Sequence, residues 1–182
     1  MKYVLTGTET ERLIFRLLTE NDFDDWLPLF SAERVPDFLG MDPTLPPEEL
    51  CKQWFEKCMN RYAKNLGGMN VLVDKTTGKM VGQCGLLIQD ILGEELMEVG
   101  YSILPEYWGK GYASEAAIKC KELGFENNYA KEIISMVHVD NIGSETVAKK
   151  NGMTHWRYIE DYKGSPVNIF KITKDEYLSH KK

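Results

Sequence analysis

An α/β fold with a mixed, mostly antiparallel sheet follows from three features of the sequence. Strand-like runs separated by short turns fill residues 70–104, the pattern of strands that pair with their neighbours in the chain. Residues 98–139 then read strand, helix, strand, and a helix between two strands makes their pairing parallel. The 182 residues, 43% hydrophobic and 27% charged, suit a single domain spanning 1–182 with one core, and neither disorder nor a coiled coil.

Taken in order, Thr10 to Leu18 reads as a first strand with an apolar centre between Arg12 and Arg16. Thr19-Glu20-Asn21-Asp22 supplies cap chemistry for a helix that carries Phe23, Trp26, Leu27 and Phe30 at core-packing spacing, with Pro28 either in its first turn or at a kink. Val35 to Pro47 is rich in turn residues yet keeps Phe38, Leu39 and Met41, as suits a loop covering an apolar surface or a plain connection. Pro46-Pro47-Glu48-Glu49 opens a helix through Leu50, Trp54, Phe55, Cys58 and Tyr62, which Asn65-Leu66-Gly67-Gly68 stops. Asn70 to Asp74 and Lys79 to Ile88 form a hairpin, in which Gly82 and Gly85 mark a bulge or a close neighbour.

Glu98 to Leu104 reads as a mostly buried strand ended by Pro105, and Trp108-Gly109-Lys110-Gly111-Tyr112-Ala113 joins it to a helix from Gly111 to Phe125. The two glycines allow a tight turn and close approach to a ligand, and the first N–H groups of the helix point into the same concavity, an arrangement suited to a phosphate or pyrophosphate. Local spacing alone serves a ligand-free strand-to-helix connection equally well. It is not a Walker loop, because Leu104 and Gly111 occupy the positions that loop needs, nor a dinucleotide fingerprint, because Ser114 stands at the third glycine. Glu132 to Val139 is a buried strand, and Asn141 to Asn151 a short helix closed by Gly152. A C-terminal hairpin turns around Asp161 to Pro166, and a helical turn from Thr173 to Leu178 precedes a frayed basic end.

The run Pro105-x-x-x-Gly109-Lys110-Gly111-Tyr112-Ala113-Ser114-Glu115-Ala116 resembles the acetyl-CoA loop of the GNAT superfamily of N-acetyltransferases, closest to its RimJ/RimL-like branch. Asp140-Asn141-Ile142-Gly143-Ser144, followed by a helix ending Lys150-Asn151-Gly152-Met153, is similar to that branch's second signature, Asn-x-x-Ser then Lys-x-Gly-Phe. The resemblance implies that the parallel strands splay apart around the pantetheine arm. It assigns acetyl-CoA to Trp108, Gly109, Lys110, Gly111, Tyr112, Ala113 and Ser114, with Ile103 and Asn141 on the arm. It also places Phe38, Met41 and the Tyr158 to Tyr162 segment on the acceptor side. Ser144 matches the serine thought to return a proton to the leaving sulfur; the tyrosine other members use for this is replaced by Ala148, and capping the helix is the alternative for both Ser144 and Asn141. Trp108 departs from the usual Gln or Arg, Ala113 from the commoner Gly, and Met153 from Phe.

Direct transfer of an acyl group to an amine needs a base, and Glu98 is the preferred one: an acid in an apolar strand tends towards a raised pKa. The alternative is an outward-facing carboxylate. His138 and His155 read as core or rim residues, and no Ser-His-Asp pattern is present. Cys51, Cys58, Cys84 and Cys120 lack a Cys-x-x-Cys pair, so the expectation is reduced core thiols, no disulfide and no metal. The net charge of −6 opposes nucleic acid and anionic lipid and would tolerate a cationic amine. No apolar run approaches a membrane span of ~20 residues, so the expected compartment is cytoplasmic. The expected partner is a peptide or small molecule bearing an amine, with a homodimer left open. The rival functions are a CoA-binding or sensory module without catalysis and an interaction protein with an empty loop.

Overall fold

The described residues form one mixed sheet of seven strands, in which the hairpins stand where the turn signals put them. The computed structural model describes residues 1–180; the basic end, Lys181-Lys182, lies outside them. The strands are β1 (Leu13–Arg16), β2 (Gly67–Asp74), β3 (Met80–Ile91), β4 (Glu94–Ile103), β5 (Glu132–His138), β6 (Thr154–Tyr162) and β7 (Ser165–Thr173). The helices are α1 (Phe23–Trp26), α2 (Val35–Phe38), α3 (Pro47–Ala63), α4 (Tyr112–Glu126), α5 (Ile142–Lys150) and α6 (Lys174–His180). Only β4 and β5 pair in parallel among the described strands.

The sheet is covered on both faces, and alternate residues of one strand serve the two cores. Leu72 of β2 joins the core under α4 with Ala116, Ala117, Cys120 and Phe125. Its neighbour Val71, with Met69, joins the core under α1 and α3 with Trp26, Leu50, Trp54 and Cys58. Small residues on α4 bring it close: a Cβ on Gly124 would lie 2.8 Å from Ile133 Cδ1.

The parallel ladder of β4 with β5 is short. It pairs Met97 with Ile133 and Glu98 with Ile134 and goes no further, while each strand stays paired on its other side to its end. Ser135 Oγ donates to the Val99 carbonyl at 2.9 Å just past the last rung. Beyond it the strands diverge, which is the splay the sequence resemblance implied.

Local departures from the sequence reading have local causes. The helix expected from Asp22 to Phe30 is broken into a 3-10 turn at Glu20–Asp22, α1, and a second 3-10 stretch at Leu27–Ser31. Pro28 has no N–H to continue the α pattern, so α1 ends at Trp26. The cap chemistry read from Thr19 to Asp22 is present as a capping box: the Asp22 carboxylate accepts from the Thr19 amide (2.8 Å) and hydroxyl (3.0 Å), and it also takes a bidentate pair from Arg16. Helix α3 stops earlier than its glycines, and Gly67 instead opens β2 with φ 73°, where a Cβ would sit 2.0 Å from the Leu86 carbonyl oxygen. The turn-rich stretch contains α2, which begins after Arg34 in the left-handed region.

Candidate active site

The splay opens into a cleft of about 870 Å³. One side is formed by the loop before α4 and the start of α5; the other is a pocket between α2, α3 and the sheet.

On the loop side, Gly109 (φ 73°) and Gly111 (φ 84°) are both left-handed, and Gly111 is the N-cap of α4. Among the described residues, no backbone N–H from Gly109 to Ser114 has an acceptor within the chain; the first helical bond is Glu115 N–H to the Gly111 carbonyl at 3.1 Å. These adjoining donors at a helix start form an anion cradle. Arg12 braces it. Its Nη1 donates to the Lys110 carbonyl (2.9 Å), its Nε to Glu115 Oε2 (2.6 Å), and its guanidinium lies 4.4 Å from the centre of the Tyr112 ring. Burial would raise the Glu115 carboxyl, but the hydrogen bonds from Thr10 and Arg12 outweigh it and hold it below its ordinary value.

Trp108, Gly109, Gly111, Ala113 and Ser114 line this side. Lys110 does not; its Nζ lies 5.0 Å from the centre of the Tyr107 ring. The Tyr112 ring touches the cleft, but its hydroxyl is turned to Asp74 at 2.8 Å. The Ile103 carbonyl is already engaged by the Trp108 indole N–H at 2.6 Å. Asn141 does cap α5, with its Oδ1 accepting from the Ser144 N–H at 3.0 Å. The Ser144 hydroxyl is no cap: it donates to Tyr101 Oη at 3.2 Å, and the Tyr101 hydroxyl donates to the Ser144 carbonyl at 2.8 Å. This places a hydroxyl pair at the point where the two sides meet. Burial pushes the Tyr101 phenol well above its usual range.

On the pocket side, Glu98 is buried at the last parallel rung and lines the cleft, so it is not an outward carboxylate. Its Oε2 accepts from Gln89 Nε2 at 2.6 Å and its Oε1 from the Met136 N–H at 3.5 Å. Burial raises the carboxyl above its ordinary value, against the opposing effects of Gln89, Met136, Arg61 and Lys57. Phe38 lines the pocket and stacks on His138 with ring centroids 5.3 Å apart, and His138 is a rim residue as expected. Two expectations for this side fail. Met41 packs into the α1–α3 core instead, and Tyr158 is exposed on β6; only Tyr162 of that segment reaches the cleft.

The sequence reading missed Lys57 and Arg61. Trp54, Lys57, Cys58 and Arg61 follow the i, i+3, i+4, i+7 stripe of α3, so two cations interrupt an apolar face, and that interruption is the signal that marks them. They also make the pocket lining basic although the chain is acidic overall, so net charge misjudged this cavity. All four cysteines are free and buried, as expected, and Cys51 and Cys58 are pushed up to about 12 by burial. No described helix is long and apolar enough to cross a membrane.

The chain resembles other proteins over nearly its whole length. A Bacillus subtilis protein, YkkB, is 28% identical over 170 residues, covering 91% of this chain and 95% of its own. RimL, the ribosomal L7/L12 α-N-protein acetyltransferase solved with coenzyme A, superposes with a TM-score of 0.75 at 16% identity, covering 94% of this chain and 99% of that one. Spermidine N-acetyltransferase from Vibrio cholerae, solved with CoA and spermine, gives 0.72 at 20% identity, with 93% and 99% covered. The sequence model of the acetyltransferase (GNAT) domain matches residues 12–154, which include the glycine loop, Glu98 and Ser144, and the chain therefore belongs to the GNAT acetyltransferase family.

Proposed function

We propose that residues 1–182 act as one acetyltransferase domain that moves the acetyl group of acetyl-CoA directly to a primary amine. The coenzyme lies on the loop side and the amine on the pocket side. The observation that carries this reading is Glu98, a buried carboxyl at the floor of the gap where β4 and β5 part, facing a cleft whose opposite wall is an anion cradle.

The loop side fits the co-substrate on its own terms. The free N–H groups of Gly109 to Ser114 suit a pyrophosphate, and the exposed edges of the parted strands suit an amide-bearing arm. The Asn141 Nδ2 is available to that arm because Oδ1 alone serves as the cap. Ile103 can serve it only by sharing its carbonyl with Trp108 or releasing the indole. Bound acetyl-CoA supplies an acyl carbon already activated as a thioester.

Glu98 takes the proton that an arriving ammonium must lose before its nitrogen can attack. Its raised pKa brings it closer to the range in which it can both accept and release that proton. As the nitrogen–carbon bond forms and the carbon–sulfur bond breaks, the Ser144 hydroxyl turns from Tyr101 to donate to the departing sulfur, while the Tyr101 O–H stays on the Ser144 carbonyl and positions it. The nitrogen loses its second proton to solvent as the amide forms, and the thiolate takes one up from solvent to leave as the free thiol; the Tyr101 phenol, held above its usual range, is not the source.

Calorimetric titration with acetyl-CoA, followed by thiol release with N-terminal peptides, polyamines and small amines, tests the proposal. Saturable binding and release with an amine are expected. Binding without release for every amine would reduce the protein to a CoA-binding module, and no binding would remove the loop assignment as well.

A further inference from the structure

Away from the Arg34–Asp140 pair at its rim, the pocket side holds more positive charge than the carboxylate of Glu98 balances. Lys57 and Arg61 from α3 and Lys163 from the β6–β7 turn line it with Glu98. Among the described residues, none of these three cations has a carboxylate within ion-pair distance. Each Glu98 oxygen accepts one hydrogen bond, from Gln89 or from the Met136 amide, and none from the three cations.

Arg61 is 9% exposed. One of its terminal nitrogens donates to the Leu66 carbonyl (2.9 Å) and the Ile88 carbonyl (2.6 Å), but its Nε has no acceptor. Carbonyls satisfy donors without cancelling charge, so the pocket keeps a buried cation without an anion, an arrangement that costs free energy in the absence of a ligand. Tyr162, beside Lys163, also carries a buried hydroxyl without a partner. Lys57 is exposed at the cleft, with its Nζ 5.9 Å from the Trp54 ring centre, and Lys163, Arg61 and Glu98 line the same space.

We propose that the acceptor is a small amine carrying its own anionic group, a carboxylate or a phosphate. That group is held by Lys57 and Lys163 in the field of Arg61, while the amine meets Glu98. The proposal rests on the reading of Glu98 as the amine end of the cleft. It also separates this pocket from one for a polyamine, whose second cation would face Lys57 and Arg61.

The test measures thiol release by the full chain at saturating acetyl-CoA with matched pairs: γ-aminobutyrate against 4-aminobutanamide, and O-phosphoethanolamine against ethanolamine, with spermidine alongside. At least one anionic member is expected to exceed its neutral partner in kcat/KM by about tenfold or more, and the better pair distinguishes carboxylate from phosphate. Lys57→Met should bring that ratio towards one, and Lys163→Gln, at a surface turn where folding is not at risk, should reduce it. Equal rates within each pair, or spermidine as the best acceptor, would overturn the proposal. If no amine releases thiol, binding of N-acetyl-γ-aminobutyrate and its amide is compared by calorimetry with CoA present. A retained preference for the acid then supports the anion subsite while removing the transfer reading, and equal binding removes the subsite.

Discussion

The loop side of the cleft is backbone from one short segment, Gly109 to Ser114, whereas the pocket side is side chains from α2, α3, β3, β4, β5 and the β6–β7 turn. Backbone donors at a helix start lose no rotamer freedom when they bind, and the sequence needs only left-handed glycines and a bracing Arg12 to aim them. The pocket is the reverse. Its charges are placed by tertiary packing, they are incompletely paired, and they store unfavourable electrostatics that only function would justify. A shared co-substrate can be met by a portable loop; an individual acceptor has to be met by the rest of the fold.

The largest effect should come from the pocket. Glu98→Gln removes the proposed base while leaving a carbonyl to accept from Gln89, and kcat is expected to fall by about 100-fold at pH 6–7, with partial recovery towards pH 9.5 as the free amine forms in solution. A pH–rate profile of the variant that matches the wild type would place the base elsewhere. The same substitution should stabilise. Because burial raises the folded pKa of Glu98, its stabilising contribution is complete below the unfolded value of about 4.3 and is lost as pH rises through the folded value. Melting curves should therefore coincide near pH 4 and separate in favour of Glu98→Gln at pH 7–8. A lower Tm for the variant at neutral pH would mean that the carboxylate is paid back by its surroundings and that the contrast between the two sides is wrong.

On the loop side, Gly111→Val forces a branched residue into φ 84° and puts a Cβ 3.4 Å from Arg12 Nη2. Acetyl-CoA affinity should drop by about tenfold or more, while a pantetheine fragment lacking the pyrophosphate should bind almost as before. Equal losses for both would remove the anion cradle. Where the sides meet, Ser144→Ala deletes the proposed donor to a leaving group that is fair without help, and about a tenfold loss in kcat is expected. If Tyr101→Phe costs the same and the double variant costs no more, the two hydroxyls act as one unit. Fully additive losses would separate them.

The contrast also explains what the sequence could tell. Gly109 to Ser114 and Asn141 to Ser144 are contiguous motifs whose geometry is local, so they were legible, as were the strand–helix–strand unit and the hairpins. Glu98 stood out because an acid interrupts an apolar strand. Lys57 and Arg61 did not, because long amphipathic side chains are ordinary on a helix, and the burial of Arg61 and the facing of Lys57 to the cleft depend on α3 docking against the sheet. Tyr158 and Tyr162 could not be told apart without the register of β6 against β7, which shifts twice by bulges. The broken helix before Ser31 was foreshadowed by Pro28, and its cap by Thr19 to Asp22, but the Arg16 pair on Asp22 depends on β1 lying beside it.

The smallest effect tests the rim of the pocket. Phe38 is held from two directions: its ring stacks on His138 and lies 5.0 Å from the Arg34 guanidinium, which in turn pairs with Asp140 at 2.7 Å. These contacts fasten α2 across the mouth of the splay, next to the start of α5. Removing the ring by Phe38→Ala subtracts apolar surface that, on the proposed reading, contacts the acceptor before and during transfer alike, so KM for the acceptor should rise about threefold to tenfold with kcat nearly unchanged. Acetyl-CoA affinity should stay within about twofold, because the ring touches none of the cradle donors. Arg34→Ala is the control for position as opposed to contact. The Arg34–Asp140 pair is exposed at both ends, and such pairs contribute little on their own, so this variant should move the acceptor KM less than Phe38→Ala does. If Arg34→Ala matches or exceeds Phe38→Ala, the rim acts by holding α2 in place. A shift in acetyl-CoA affinity for either variant would show that α2 belongs to the loop side of the cleft.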